Sequence, residues 1–340
     1  MQHVKAAWAT AIRVAVLGIL HISTRLIAQV EVHGLEHDAG APRTYLAISH
    51  KRDLDAMAPL TPILLHRGWR ALAHDLHFAM RSDGFTPGFL ARMVGRPRWL
   101  AHLLRPLSVG KVLRALGIHP IQDLRLRPGE EWIRDVLREE GDPPAGDVLT
   151  TEFLAQVAAS AHEPRTRLER SRLSELLRWR YQAALQPYMG AEILVPGARR
   201  RADQRTLALA KGYLSELAEW LWQDGSVYSS PEGRLSPDGR LSPITSGFHR
   251  VLRAAPPETQ VAPIFVMYDF ITTARPRIFV DLAPAIPHAP ELPRAALDER
   301  LHQAWLGSAR FTCTQLATGF LVRASRQSAA PFTLAELTDH

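Results

Sequence analysis

Residues 45–48, Tyr-Leu-Ala-Ile, form an unbroken apolar run that stops at Ser49-His50, and four charged residues fall within the next five positions. An apolar run of this length with no alternation predicts a strand covered on both faces, as in the middle of a parallel sheet. Residues 28–34 instead alternate apolar and polar and end at Gly34, which predicts a half-exposed strand. Further strands are predicted at 69–73, at 117–123 and in the segments GSVYSS (225–230), VAPIFVMY (261–268) and RIFVDLA (277–283). Helical spacing is read over 54–66, over most of 88–116, and over 165–187, 203–222, 293–306 and 308–326. Near the N-terminus Trp8, Ile12, Ala15, Ile19, Ile22 and Leu26 recur at three- and four-residue steps. That predicts an amphipathic helix with two open placements, on a membrane surface or over the core.

Strands alternating with helices predict an α/β fold: a central, mostly parallel mixed sheet flanked by helices, with the N-terminal amphipathic helix (1–27) and a helical insertion. The insertion is placed at 126–205, inside a domain of 28–330, where loops (RPGEE, GDPPAGD, PGARRRADQ) surround an arginine-rich helix; 331–340 reads as a tail. No internal repeat interrupts this plan.

Composition refines it. With 46% hydrophobic and 22% charged residues over 340 positions, the chain can build a large core. The formal net charge is +7 and only four of the 41 basic residues are lysines. Such a balance suits nucleic acid, an anionic membrane surface or a phosphorylated substrate, although arginine bias also accompanies GC-rich coding. Cys313 is the only cysteine, which excludes an intrachain disulfide and a cysteine-based zinc site. The apolar run Val14–Leu20 is too short to span a bilayer, and Arg13, His21 and Arg25 interrupt its surroundings.

Two loops carry candidate chemistry, each following a strand: YLAIS-HKRDLD and SVYSS-PEGR. Parallel strands would put both loops at one sheet edge, where α/β folds bind ligands. A histidine can take a proton from a hydroxyl near neutral pH, and a carboxylate on its other ring nitrogen fixes the tautomer. Residues five apart on an ideal helix are displaced by about 140°. His50 must therefore precede the helix and Asp55 lie in its first turns for the two to meet. The competing readings of this loop are a solvated strand end with an N-cap, and Asp53-Leu54-Asp55 as a metal-binding D-x-D of a glycosyltransferase. In the second loop Glu232 supplies a carboxylate, Gly233 an unhindered backbone and Arg234 a guanidinium suited to phosphate; alone it reads as an ordinary turn.

Together the two blocks resemble the glycerolipid acyltransferase family, the glycerol-3-phosphate and 1-acylglycerol-3-phosphate acyltransferases. The Asn/Ser-His-four residues-Asp block matches Ser49-His50-Lys51-Arg52-Asp53-Leu54-Asp55. The Pro-Glu-Gly block matches Ser230-Pro231-Glu232-Gly233-Arg234-Leu235-Ser236, and the last block, a Val-Pro-Ile-Val-Pro strand, resembles Val261–Val266. Departures are Arg52 in place of a serine, Arg234 in place of a threonine, and a faint third block over Gly117–Arg125. The resemblance implies acyl transfer from an acyl-thioester, coenzyme A or acyl carrier protein, to a hydroxyl of glycerol phosphate or a lysophospholipid. It implies His50 as general base, Asp55 as its orienter, and Pro231, Glu232, Gly233, Arg234 and Arg125 at the acceptor. It implies no metal and no prosthetic group. With the apolar face of 7–27 for burial and the arginines to attract anionic lipid, the expected location is cytoplasmic, peripheral on the inner face of the cell membrane.

Other features are weaker. His74 and His77 could share a helix face, but no Glu or Cys completes a metal set, so surface or core histidines are the simpler reading. The arginines of 165–180 and 199–205 are interleaved with Glu163, Glu169 and Glu175 and lack an aromatic platform, so no nucleic-acid partner is expected. A non-catalytic protein that binds membranes or nucleic acid through these arginines is the alternative from another class.

Overall fold

A computed structural model of the chain describes residues 11, 14–15, 18–19, 21–38, 40–49, 58–68, 76–81, 99, 103–104, 110–115, 117–121, 127–233, 240–310 and 312–327. The strands are β1 (Gln29–His33), β2 (Thr44–Ile48), β3 (Leu76–Arg81), β4 (Ile118–Ile121), β5 (Arg127–Pro128), β6 (Tyr188–Met189), β7 (Ser226–Ser229), β8 (Gln260–Asp269) and β9 (Arg277–Leu282). Helix α1 is the N-terminal helix, described at 11, 14–15, 18–19 and 21–27. It is followed by α2 (Leu60–Arg67), α3 (Gly110–Ala115), α4 (Gly129–Glu140), α5 (Thr151–Ala161) and α6 (Arg165–Arg170). The remaining helices are α7 (Gln182–Leu185), α8 (Pro196–Trp222), α9 (Ser246–Ala254), α10 (Arg294–Gly307) and α11 (Cys313–Gln327). Two compact units result: Met1–Ala79 with Val112–His119 and Leu214–His340, and Met80–Lys111 with Pro120–Tyr213.

The first unit is organised by a seven-stranded sheet of order β1-β9-β8-β2-β7-β3-β4. Strand β2 is parallel to both β7 and β8, β3 is parallel to β7 and β1 to β9, while β8 and β9 form an antiparallel hairpin. The fold is therefore the mixed, mainly parallel sheet with flanking helices expected from the alternation. All five residues of β2 are buried because both faces are covered. Leu46 and Ile48 join Ile264 and Val266 in a core layer with Ala58, Leu60 and Ile63 at the start of α2. On the other face Tyr45 meets Phe248 of α9 edge-on at 5.0 Å, and Trp305 of α10 donates its indole N–H to the Ala47 carbonyl at 3.3 Å. Each large side chain buried this way contributes about 1.5–3 kcal/mol.

A buried ion pair holds the far end of α2. Arg67 grips Asp38 through Nε (2.8 Å to Oδ2) and Nη2 (2.6 Å to Oδ1), and its Nη1 donates to the Ser226 hydroxyl at 2.8 Å. The helix is thereby fixed to the first residue of β7.

Helix α1 exposes apolar side chains at its described positions. Among its described residues Thr24 is buried, as is Ala28 just after it, whereas Ile19, Ile22, Leu26 and Ile27 are exposed. The described part of the predicted apolar stripe (Ala15, Ile19, Ile22 and Leu26) does not cover the core. Among the described residues no helix is long and apolar enough to cross a membrane.

The second unit is helical, with a two-stranded antiparallel ladder of β5 and β6. Its own core includes Trp132, Ile133, Val136, Phe153, Leu154 and Val157. The single arginine-rich helix predicted at 165–187 is broken into α6, two short 3-10 turns (Leu173–Leu177 and Trp179–Tyr181) and α7. The breaks fall at Ser171 and Arg178, both extended. Leu168, Leu173, Leu176, Tyr181 and Leu185 are all buried. One continuous helix would point them around most of its circumference, so breaking it is what lets every one reach the core. Helix α8 begins at Pro196, before the predicted Asp203. The segment read as the loop RPGEE is β5 followed directly by the first turn of α4, whose Glu130 and Glu131 sit where the helix dipole favours acids.

Candidate functional site

The two candidate loops start from neighbouring strands. In the β2–β7 pairing Tyr45 faces Val227, Leu46 faces Tyr228 and Ala47 faces Ser229. The residues that follow Ile48 and Ser229 thus leave the sheet side by side at its carboxyl edge, the edge where such folds place ligands.

Ser49 is fully buried and anchors the end of β2. Its N–H donates to the Ile264 carbonyl at 2.9 Å, and its hydroxyl accepts the Val266 N–H at 3.2 Å. Nothing in the sequence pattern assigned Ser49 that role; a polar residue closing an otherwise apolar strand is the only signal. His50, Asp53 and Asp55 lie outside the described residues, as do Arg125 and Arg234.

The start of the second loop is a tight turn. The Gly233 N–H donates to the Ser230 carbonyl at 3.2 Å, with Pro231 at the position where its fixed φ suits the turn. Gly233 has φ +68°, and a Cβ there would lie 2.9 Å from the Thr245 methyl, so glycine is required both by backbone conformation and by space. The turn is stapled to the returning chain twice. Thr245 N–H donates to the Pro231 carbonyl at 2.8 Å, and the buried carboxylate of Glu232 accepts the Ser242 N–H at 2.6 Å. Ser242 and Thr245 are thus supporting residues the motif alone does not reveal. The Ser230 hydroxyl is buried without a hydrogen-bond partner among the described residues. Under the turn, burial pushes the Tyr45 phenol up to about 12, only partly offset by its hydrogen bond with Ser229.

Pro231, Glu232 and Gly233 are therefore brought together in one turn, beside the strand end that carries Ser49. This edge carries an anchored strand terminus at Ser49 on one side and a stapled turn with the buried Glu232 carboxylate on the other.

Two histidine clusters lie elsewhere in the same unit. His77 sits on strand β3, not on a helix, and is buried; His74 lies outside the described residues. The His77 ring stacks on Trp220 at 3.6 Å, its Nδ1 lies 3.2 Å from His119 Nε2, and His119 Nδ1 lies 3.4 Å from Glu216. His249 of α9 lies 2.7 Å from Asp298 of α10, off the line of a good hydrogen bond. Burial is the main cause that pushes His249 below its ordinary value; Asp298 opposes this, while Arg294 and Arg253 add to it. Among the described residues no group of three His, Cys, Asp or Glu side chains could hold a metal ion.

No protein-family model, curated protein or solved structure matches the chain.

Proposed function

We propose that the protein transfers a fatty acyl group from an acyl-thioester of coenzyme A or acyl carrier protein to a hydroxyl of glycerol-3-phosphate or a lysophospholipid. The observation that carries the reading is the parallel β2–β7 register, Ala47 opposite Ser229, from which the Ser-His-x4-Asp and Pro-Glu-Gly segments leave the same edge. The buried Glu232 and the left-handed Gly233 add support, because a turn this constrained suits a binding loop better than a free hairpin.

In this mechanism His50 takes the proton of the acceptor hydroxyl as its oxygen attacks the thioester carbonyl. The carbon–sulfur bond then breaks, the ester forms, and the proton passes from His50 to the departing thiolate. Asp55 orients the imidazole and stabilises its charged form. Glu232 and Gly233 shape the acceptor site, and Arg234, with Arg125, grips a phosphate. The enzyme works at the inner face of the cell membrane, held there peripherally.

Support against a nucleic-acid role comes from the second unit. Arg165, Arg167, Arg178, Arg180, Arg199, Arg201 and Arg205 each lie within 4.0 Å of a carboxylate of that unit. An arginine already paired offers less to a phosphate backbone.

The test is release of free thiol from acyl-coenzyme A and acyl carrier protein, screened against glycerol-3-phosphate and lysophospholipids. Turnover that falls about 10²–10⁴-fold in a folded His50→Ala variant is expected. Wild-type turnover in that variant, or no thioester turnover with any acceptor, overturns the reading. A requirement for Mn²⁺ and a nucleotide sugar would instead point to glycosyl transfer.

A further inference from the structure

Helix α1 exposes what a surface helix normally hides. Ile19, Ile22, Leu26 and Ile27 are each more than half exposed, while the helix buries Thr24. The same unit exposes two more apolar elements: Phe270 and Ile271 in the turn between β8 and β9, and Leu316, Leu321 and Val322 on α11. Hydrogen bonds link the three elements. The Arg275 guanidinium in the turn donates to the Arg25 carbonyl of α1 at 3.2 Å, and Gln29 N–H donates to the Pro276 carbonyl at 2.8 Å. On the other side Phe270 N–H donates to the Thr314 hydroxyl at 2.6 Å, and that hydroxyl donates to Asp269 at 2.9 Å. The end of α1, the turn and the start of α11 are thus joined by hydrogen bonds.

Charge says what these elements meet. One residue in ten is acidic across the chain, 34 of 340, yet none lies in residues 1–30, 270–276 or 300–335. The acids next to these segments are engaged: Asp269 is buried and accepts hydrogen bonds, and Glu31 is paired with Arg277 at 2.6 Å. Arg25, Arg275 and Arg323 are exposed among the apolar side chains. A contact with another protein needs apolar area but has no reason to exclude every carboxylate. A negatively charged bilayer has both requirements: apolar side chains to enter the acyl boundary and cations to meet the headgroups.

We propose that the outward stripe of α1, the β8–β9 turn and α11 form a single docking surface for an anionic lipid bilayer. This deepens the membrane association proposed above and does not depend on acyl transfer. A lone amphipathic helix would bind by itself; here three hydrogen-bonded elements enter together, so removing any one weakens the whole.

The test uses the full chain with extruded vesicles of phosphatidylcholine alone or mixed with phosphatidylglycerol. Binding is expected only with phosphatidylglycerol and should fall as salt rises. The pairs Ile22→Ser/Leu26→Ser and Phe270→Ser/Ile271→Ser should each weaken it about tenfold or more, with unchanged melting temperature. A second readout needs no substitution: a polarity-sensitive dye on Cys313, the sole and exposed cysteine at the start of α11, should shift to the blue on docking. Binding that ignores phosphatidylglycerol, turn variants that bind like wild type, or a dye that does not respond would each overturn the proposal. So would self-association broken by the same variants without vesicle binding. Thiol release with a water-soluble acceptor separates the two readings: turnover without docking sinks only this surface, and docking without turnover sinks only the enzyme.

Discussion

The Ser49 hydroxyl accepts the Val266 N–H at 3.2 Å, which ties the last buried residue before His50 to the neighbouring strand. Replacing it with alanine leaves a buried N–H without its partner. A loss of about 1–3 kcal/mol is expected for an orphaned buried donor, read as a lower denaturant midpoint with an unchanged slope. Thiol release should fall further than stability explains, because the segment that begins with His50 loses its anchor. Equal turnover in Ser49→Ala and wild type, at a temperature where both are folded, would show that Ser49 supports the sheet alone.

Gly233→Ala should be costly for two reasons that can be separated. The left-handed conformation disfavours any side chain, by about 1–3 kcal/mol where it is strained, and the added methyl would meet the Thr245 methyl at 2.9 Å. Thr245→Ser removes that methyl but leaves φ unchanged. The double variant should therefore recover part of the stability and part of the turnover lost in Gly233→Ala. Full recovery would mean that backbone strain contributes nothing.

The Asp38–Arg67 pair tests stability away from the candidate site. Both side chains are almost wholly buried. Removing one partner strands the other charge, so Asp38→Ala or Arg67→Ala should cost about 3–5 kcal/mol. The double replacement Asp38→Leu/Arg67→Met should cost less than either single change, because neither charge remains in the interior. A thermal-melt series of the four proteins decides it.

How much of this was legible follows from what each pattern depends on. The runs at 45–48 and 261–268 identify central strands because two covered faces leave no alternation to misread. Strand β3 was missed: His77 interrupts its apolar positions, and its place against Trp220 depends on a residue far along the chain. The stripe on α1 was visible, but a stripe reads the same whether it faces the core or away from it. At the described positions the exposure of Ile19, Ile22 and Leu26 beside a buried Thr24 is what shows its direction. The breaks within 165–187 come from five buried side chains competing for one core, which local helical spacing does not express. At the candidate site Pro-Glu-Gly could be read as a turn, whereas its staples to Ser242 and Thr245 form between residues separated by the 234–239 segment. The Ser49–Val266 bond joins residues on separate strands, so no local window contains it.

Arg234 supplies a prediction on substrate. If its guanidinium grips the acceptor phosphate, charge-assisted bonds of about 1.5–3 kcal/mol are at stake, or roughly ten- to a hundredfold in binding. Arg234→Ala should raise the acceptor KM and leave the acyl-thioester KM nearly unchanged. Arg234→Lys should recover only part of the loss, since lysine lacks the planar fork. Equal effects on phosphorylated and phosphate-free acceptors would remove phosphate recognition from Arg234.

His249 gives the stability a definite pH dependence. Burial lowers its folded-state affinity for a proton, and Arg294 and Arg253 act in the same direction against Asp298. The unfolded chain, with an ordinary imidazole near 6.5, then binds more protons than the folded chain over the interval below that value. Stability must therefore rise with pH through this interval. The contribution is complete above 6.5 and is lost progressively as the pH falls toward the depressed folded value. Melting temperatures measured from pH 7.5 downward should drop through this window in the wild type, and the slope should flatten in His249→Gln, which cannot be protonated. Asp298→Asn removes the one group that favours the imidazolium, so it should steepen the loss on the acid side. A slope unchanged in His249→Gln would assign the pH dependence to other groups.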